Sequence, residues 1–259
     1  MKKDVGVLGA GSWGTTLAIL LHGNGHRVSL WEFRARAARE LALFRENREF
    51  LPGVAIPPDI IISSEFYQVA SEKAILVTAV PSHVLRSVGE KLHSIDLNRT
   101  LVVNVSKGIE NQSLKRMSEV LSDTVKGFDL KRFVALSGPS HAEEVSQRMP
   151  TTVVVASTSI KAAEEVQQVF MTPYFRVYAS DDLVGVELGG SLKNVIAIAA
   201  GICDGLGFGD NTKGALLTRG MVEIARLGTA MGARPSTFSG LSGMGDQVVA
   251  PRGIDTLSL

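Results

Sequence analysis

Short runs of β-branched and apolar residues alternate with longer amphipathic stretches over the first two thirds of the chain. The runs "VGVL" (5–8), "RVSLW" (27–31), "DIII" (59–62), "AILVTAV" (74–80), "LVVNV" (101–105), "FVALS" (133–137) and "TTVVVA" (151–156) read as strands. Several are continuously apolar, as expected of strands covered on both faces. Between them, "RARAARELALFRENR" (34–48) and "SLKRMSEVLSDTV" (113–125) space their apolar residues as helices do. The alternation predicts an α/β fold with a doubly wound parallel sheet. After "FRVYAS" (175–180) the strand signals stop. Residues 182–202 and 212–231 are helical in pattern, separated by the glycine-rich "DGLGFGDN". A boundary near residue 180 therefore separates a 1–180 unit from a smaller, all-helical 181–259 unit.

The first strand runs into Gly9-x-Gly11-x-x-Gly14 and then into a helix. In that context the glycines read as a dinucleotide fingerprint of the Rossmann type. Gly9 permits the tight turn, Gly11 lets the backbone approach a pyrophosphate, and Gly14 allows close packing of helix on strand. The phosphates would meet the positive end of the helix at Ser12 and Trp13. The second strand ends in "LWEFRAR". Glu32 could accept from a ribose 2′-hydroxyl, favouring NAD, whereas Arg34 or Arg36 could neutralise a 2′-phosphate, favouring NADP. Both signals are present, with a slight lean toward NADP.

Ligands of open α/β sheets bind beyond the carboxyl ends of the strands. "NVSKGIE" places Lys107 on that rim, and "SGPSHAEEV" places Gly138 and Ser140 there. Ser140-x-x-Glu143 also matches a capping box, which predicts Ser140 as the cap of the next helix.

Lys193 lies in the apolar stretch "GVELGGSLKNVIAIAAGICDG" (185–205). On a helix its side chain leans over Gly190 and Gly189, at i−3 and i−4. Two glycines inside a helix cost about 1 kcal/mol each relative to alanine. Either close packing on a neighbour or room for a small molecule would offset that. A desolvated lysine titrates below its usual value and suits proton transfer; a lysine whose stem merely covers apolar surface would serve no such role.

Composition narrows the function classes. With 259 residues, 45% of them apolar, the chain can bury a large core, and a net charge of +1 offers no electrostatic case for nucleic acid. Cys203 stands alone, which fits a reducing, cytoplasmic setting. The glycines between His22 and His26 disfavour a metal pair, so no metal is expected. No apolar run of membrane-spanning length is expected either.

Taken together, the motifs resemble the NAD(P)-dependent glycerol-3-phosphate dehydrogenases of the bacterial type. The matching residues are "GAGSWGTTLA" (9–18), "VPSHVLR" (80–86), "SKGIE" (106–110), "SGPSHAEEV" (137–145), the long block 185–228 that contains "GGSLKNVIAIAAGI", and "TFSGLSGMGD" (237–246). They follow the family order from residue 4 to about 246. The resemblance implies reversible hydride transfer between NAD or NADP and a small phosphorylated three-carbon substrate, dihydroxyacetone phosphate or sn-glycerol 3-phosphate, supplying glycerophospholipid synthesis. It implies Lys193 as the proton acceptor and donor, and Lys107 as a contact to both cofactor and substrate. Gly138, Ser140 and Asp246 match substrate-binding positions. Ser12, Trp13 and Ala142 match cofactor-binding positions, and Arg34 lies in the matching region. After Asp246 the chain departs from the family pattern: "QVVAPRGIDTLSL" stands where the family continues with a Ser-Arg-Asn stretch and further helices. The helical unit is therefore expected to be incomplete relative to the family, leaving an apolar patch on the 182–231 helices that would favour a homodimer or instability. A related hydroxy-acid dehydrogenase, and a dinucleotide-binding remnant without turnover, are the competing readings.

Overall fold

The computed structural model describes residues 2–245. The chain runs β1 (Asp4–Leu8), α1 (Ser12–Gly23), β2 (Arg27–Trp31), α2 (Ala35–Phe44), β3 (Glu46–Asn47), β4 (Leu51–Ala55), β5 (Ile61–Ser63), α3 (Phe66–Ala70), β6 (Ile75–Thr78), α4 (Leu85–Leu92), β7 (Leu101–Asn104), α5 (Met117–Thr124), β8 (Phe133–Ser137), α6 (Ala142–Ser146), β9 (Thr151–Ala156), α7 (Ile160–Phe170) and β10 (Phe175–Ser180). Eight strands form one sheet in the order β10-β9-β8-β7-β6-β1-β2-β5. Helices cover both faces. Val5, Val7, Val77 and Val103 bury into one layer, and Leu8, Leu76, Val102 and Phe133 into the other. This two-sided burial is why the central strands are apolar at every position.

The sheet differs from the expected all-parallel one at a single pairing. β9 runs antiparallel to β8, and β10 runs parallel to β9. The connection from β8 to β9 contains only the short α6, which lies beside α1 and does not cross back over the sheet. A parallel neighbour needs a crossover that returns the chain to the starting edge; a short connection does not supply one.

Two predicted helices are shorter than their patterns. The stretch 34–48 is helical only to Phe44, because Arg45 turns left-handed at φ 52°. The chain then forms the hairpin β3–β4. The stretch 113–125 is helical only from Met117; Leu114 is left-handed and Ile109 bridges to Arg116.

Beyond β10 lie α8 (Leu183–Gly205), α9 (Asp210–Ala230), α10 (Pro235–Phe238) and a π-helical turn, Leu241–Gly245. The buried Asp182 caps α8 by accepting from the Gly185 N–H at 3.0 Å, and its other oxygen accepts from the Arg234 N–H at 2.9 Å. One carboxylate thus joins the start of α8 to the entry of α10. Leu188, Ile224, Ala233 and Phe238 form the small core of this region.

The expectation that no stretch reaches membrane-spanning length is corrected by α8. Its 23 residues include an 18-residue window of mean hydropathy 1.4. Its isoleucine, valine, leucine and alanine residues supply that value, as they do in helices packed inside a protein. The first half of α8 is buried against the sheet, whereas Val195, Ile198 and Ile202 are each more than half exposed, with Leu206 and Phe208 beyond them. That exposed face lies where the sequence led us to expect uncovered apolar surface.

Candidate active site

The glycine turn has the geometry its spacing predicts. Gly9 adopts φ +111°, and a Cβ there would lie 2.4 Å from the Ala79 carbonyl oxygen. A Cβ on Gly14 would lie 1.9 Å from the Gly9 carbonyl oxygen, so only glycine lets α1 sit this close to β1. A Cβ on Gly11 would meet nothing within 4 Å. Gly11 therefore keeps open space at the head of α1, as the approach of a pyrophosphate requires. Gly11 is also the N-cap of α1 and supplies no side-chain acceptor, leaving the first backbone N–H groups available to an anion.

Ser12 and Trp13 are half-buried at that helix start. The Trp13 indole turns inward, its centroid 6.3 Å from that of Phe175, so Trp13 offers the site its backbone and not its ring. Ala142, the first residue of α6, is buried, and its carbonyl accepts from Thr16 Oγ1 of α1 at 3.3 Å. That bond sets α6 beside the glycine turn.

The cleft in front of the turn has a volume of about 620 Å³ and is lined by Gly9, Gly11, Glu32, Arg34, Phe50 and Lys91 among others. Arg34 is half-buried there. Its Nε donates to Glu32 at 2.9 Å, and its two terminal nitrogens donate to Glu49 at 3.1 and 2.9 Å. Glu49 and Glu32 hold the guanidinium in its charged form, well above the ordinary arginine range. Arg36, the other sequence candidate, pairs with Glu40 on the outer face of α2.

The sequence reading missed three groups here. Asn47 is buried and donates to the Ala10 carbonyl at 2.9 Å and to Thr15 Oγ1 at 2.8 Å, bracing the glycine turn. Glu49 and Phe50 follow it on the β3–β4 turn. Asn47 was hidden by a helical pattern that runs past the true end of α2, and Glu49 and Phe50 follow directly on it; the signal that could have found them is "LPG" at 51–53, which demands a turn.

The second cluster lies past the ends of β7 and β8. Lys107 Nζ donates to the Gly138 carbonyl at 3.2 Å, and Ser140 Oγ donates to the same carbonyl at 3.1 Å. Gly138 itself is at φ +131°. One carbonyl thus gathers the lysine of one strand end and the hydroxyl of the next. Ser140 is not the helix cap expected from its spacing to Glu143: His141 occupies the cap position, and no side chain caps α6. The Ser140 hydroxyl is drawn instead to Gly138, two residues back.

Lys193 lies on α8, half-buried, one turn past Gly189 and Gly190. Of the two readings of those glycines, close packing and room for a small molecule, the structure shows close packing. A Cβ on Gly190 would lie 2.4 Å from Ser137 Oγ, and one on Gly189 2.7 Å from the Ser242 carbonyl oxygen. The glycines let α8 pack directly on β8 and on the π-helical turn. The gap left between Lys107, Ser137, Gly190 and Ser191 is only about 10 Å³. Ser137 Oγ is buried in it without a hydrogen-bond partner among the described residues.

Close packing also brings Lys107 against α8: its Cγ would be 3.6 Å from a Cβ on Gly190. Glu187, set off to another face of α8, accepts from Arg116 Nη1 at 2.7 Å, from the Ser118 N–H at 2.8 Å and from Ser118 Oγ at 2.7 Å. Burial pushes its carboxyl up, against the pull of Arg116 and Ser118. Asp246 lies outside the described residues.

Comparison with known proteins agrees with this geometry. Residues 4–163 match the N-terminal model of NAD-dependent glycerol-3-phosphate dehydrogenase, and residues 182–254 its C-terminal model. A glycerol-3-phosphate dehydrogenase (NAD(P)+) of Prosthecochloris aestuarii is 55% identical over 243 residues, spanning 94% of this chain and 73% of that protein. One from Lysinibacillus sphaericus is 51% identical over 247 residues, spanning 95% of this chain and 73% of the relative. The crystal structure of a glycerol-3-phosphate dehydrogenase from Coxiella burnetii superposes with a TM-score of 0.91 at 34% identity, covering 96% of this chain and 76% of that one. With a glycine turn shaped for a dinucleotide, a lysine and serine gathered on the strand rim and this likeness along both units, the chain belongs to the NAD-dependent glycerol-3-phosphate dehydrogenase family.

Proposed function

We propose that the chain catalyses the reversible reduction of dihydroxyacetone phosphate to sn-glycerol 3-phosphate with NADH or NADPH, supplying glycerophospholipid synthesis. The observation that carries this reading is the convergence of Lys107 and Ser140 on the Gly138 carbonyl, against the helix that bears Lys193 and next to the dinucleotide cleft. The residues fit the cofactor: Gly11 leaves its approach open, the N–H groups at Ser12 and Trp13 face an anion, and Glu32 and Arg34 border the ribose end. When bound, the dinucleotide supplies or accepts the hydride.

The chain's own residues supply charge and a proton. Lys107 binds the phosphorylated substrate and places a positive charge at its oxygen, where negative charge develops on reduction. Gly138 and Ser140 position the substrate beside it. Lys193 donates a proton to the C2 oxygen in reduction and accepts it in oxidation. Asp246 is assigned a substrate contact by sequence match. In this reading residues 1–180 bind the dinucleotide and 181–259 bring the catalytic lysine. A cytoplasmic setting, supported by the single unpaired Cys203, and self-association through the exposed apolar residues of α8 complete it.

The test is consumption of NADH or NADPH on addition of dihydroxyacetone phosphate to the purified chain. Lys193→Ala is expected to lower kcat by about 10²–10⁴-fold while the protein still binds dinucleotide. Dinucleotide binding without turnover of the unmodified chain would establish the remnant reading instead, and NADH or NADPH consumption confined to keto acids a different dehydrogenase.

A further inference from the structure

We propose that Glu32 and Glu49 together make the adenosine-ribose end of the cleft selective for NAD(H) over NADP(H). The inference rests on the dehydrogenase reading and adds which dinucleotide that site takes.

Arg34 is the residue that a 2′-phosphate would need, and its guanidinium is already held on both sides. Glu32 sits at the end of β2, 4% exposed, and its backbone N–H is tied to the Ser63 carbonyl at 3.1 Å. One of its oxygens, Oε1, accepts from both the Arg34 N–H, at 3.0 Å, and Arg34 Nε, at 2.9 Å. Glu49 takes the outer edge of the same guanidinium with both its oxygens. Three of the five N–H groups are thereby committed. Two carboxylates around one guanidinium already meet its charge. The rings of Phe33 and Phe50, centred 5.6 and 5.7 Å from the Arg34 Cζ, confine it further.

Two further cations lie near, each engaged elsewhere. Arg36 pairs with Glu40 and points to solvent. The Lys91 ammonium lies over the Trp31 and Phe66 rings, at 5.4 and 5.6 Å.

A ribose 2′-hydroxyl suits this corner. It donates to Glu32 Oε2, which accepts no hydrogen bond among the described residues, and it brings no charge. A 2′-phosphate would bring about −1.5 to −2 charges. It would have to strip Arg34 from Glu49 and still face Glu32, which is buried and cannot turn away. The slight lean toward NADP that Arg34 suggests in the sequence is reversed once its two partners are known.

The test is isothermal titration calorimetry of the full chain with NAD+ and with NADP+. The unmodified protein is expected to bind NAD+ at least about tenfold more tightly. Glu49→Gln and Glu32→Gln are each expected to tighten NADP+ binding and to narrow the ratio by about threefold or more. General damage to the fold would weaken both ligands together, so tighter NADP+ binding separates selectivity from instability. Equal or tighter binding of NADP+ by the unmodified chain, or an unchanged ratio in both variants, overturns the inference and leaves the dehydrogenase reading intact. Binding of neither dinucleotide overturns that reading, and the inference with it.

Discussion

Ser191 and Gly108 join α8 to the strand rim: the Gly108 N–H donates to Ser191 Oγ at 3.0 Å, and that hydroxyl in turn reaches the Glu187 carbonyl at 2.7 Å. Gly108 follows Lys107 directly, and Ser191 lies two residues before Lys193. One hydroxyl therefore sets the spacing between the two lysines. Ser191→Ala leaves the Gly108 N–H without this acceptor, at a cost of about 1–2 kcal/mol. Expected is a kcat for dihydroxyacetone phosphate reduction lower by about tenfold, which steady-state kinetics beside a thermal melt would check. A change in KM for the dinucleotide alone would contradict the assignment, because the cofactor turn lies on other elements.

Gly11 and Gly14 separate binding from folding. Gly11→Ala adds a Cβ to open space at an ordinary φ of −72°, so the melting temperature should hold. The same methyl group stands where the pyrophosphate approaches, so NAD+ affinity measured by calorimetry should fall at least about tenfold. Gly14→Ala drives a Cβ into backbone, 1.9 Å from the Gly9 oxygen. There the melt itself should drop, by the equivalent of about 1–3 kcal/mol.

Glu187 anchors α8 to α5 through Arg116 and Ser118. Glu187→Ala would leave Arg116, whose side chain is only 14% exposed, without its buried partner. Urea unfolding should show a loss of about 3–5 kcal/mol. Glu187→Gln keeps an oxygen for the Ser118 N–H and should lose clearly less. Equal losses for both would mean that the charge pair is not what anchors the helix.

Acid stability should carry the signature of Glu110. Arg86 grips both its oxygens, at 2.8 and 2.7 Å, and with Ser113 holds its carboxyl at about 2, below the ordinary 4.5. The folded carboxyl stays ionised where the unfolded one has taken a proton, so the unfolded chain binds more protons in that window. Stability from this pair is complete above a pH of about 4.5 and is lost as pH falls toward about 2. Glu110→Gln should flatten the fall in melting temperature over that range. A slope identical to that of the unmodified protein would remove Glu110 from the account.

The dinucleotide half was legible because its signals are local. The spacing of Gly9, Gly11 and Gly14 expresses contacts within one turn, and the continuous apolar strands express burial on both faces. Lys107, Gly138 and Ser140 could be placed on the rim because strand ends are visible as pattern changes. Their meeting at the Gly138 carbonyl could not be seen, since it depends on β7 and β8 being neighbours.

What the local pattern misplaced or left open has one cause. The 34–48 pattern is helical in spacing, yet the left-handed Arg45 ends the helix and Asn47 turns inward to bond Ala10 and Thr15. Gly189 and Gly190 left close packing and room for a small molecule both open, and β8 and the 241–245 turn pack against them. In each case a long-range contact competes with a local preference and wins, because burial and hydrogen bonding across elements outweigh the small propensity differences within one.

By itself, then, the sequence determined the α/β alternation outside the β3–β4 hairpin, the glycine turn and the family to which the chain belongs. These follow from backbone sterics, hydrophobic period and side-chain type, all of which act over a few residues. Only the tertiary structure decided the direction of β9, the closeness of α8 to the sheet and the two carboxylates around Arg34. Those depend on which distant segments become neighbours, and Glu49 reaches Arg34 only because the β3–β4 hairpin folds back beside it.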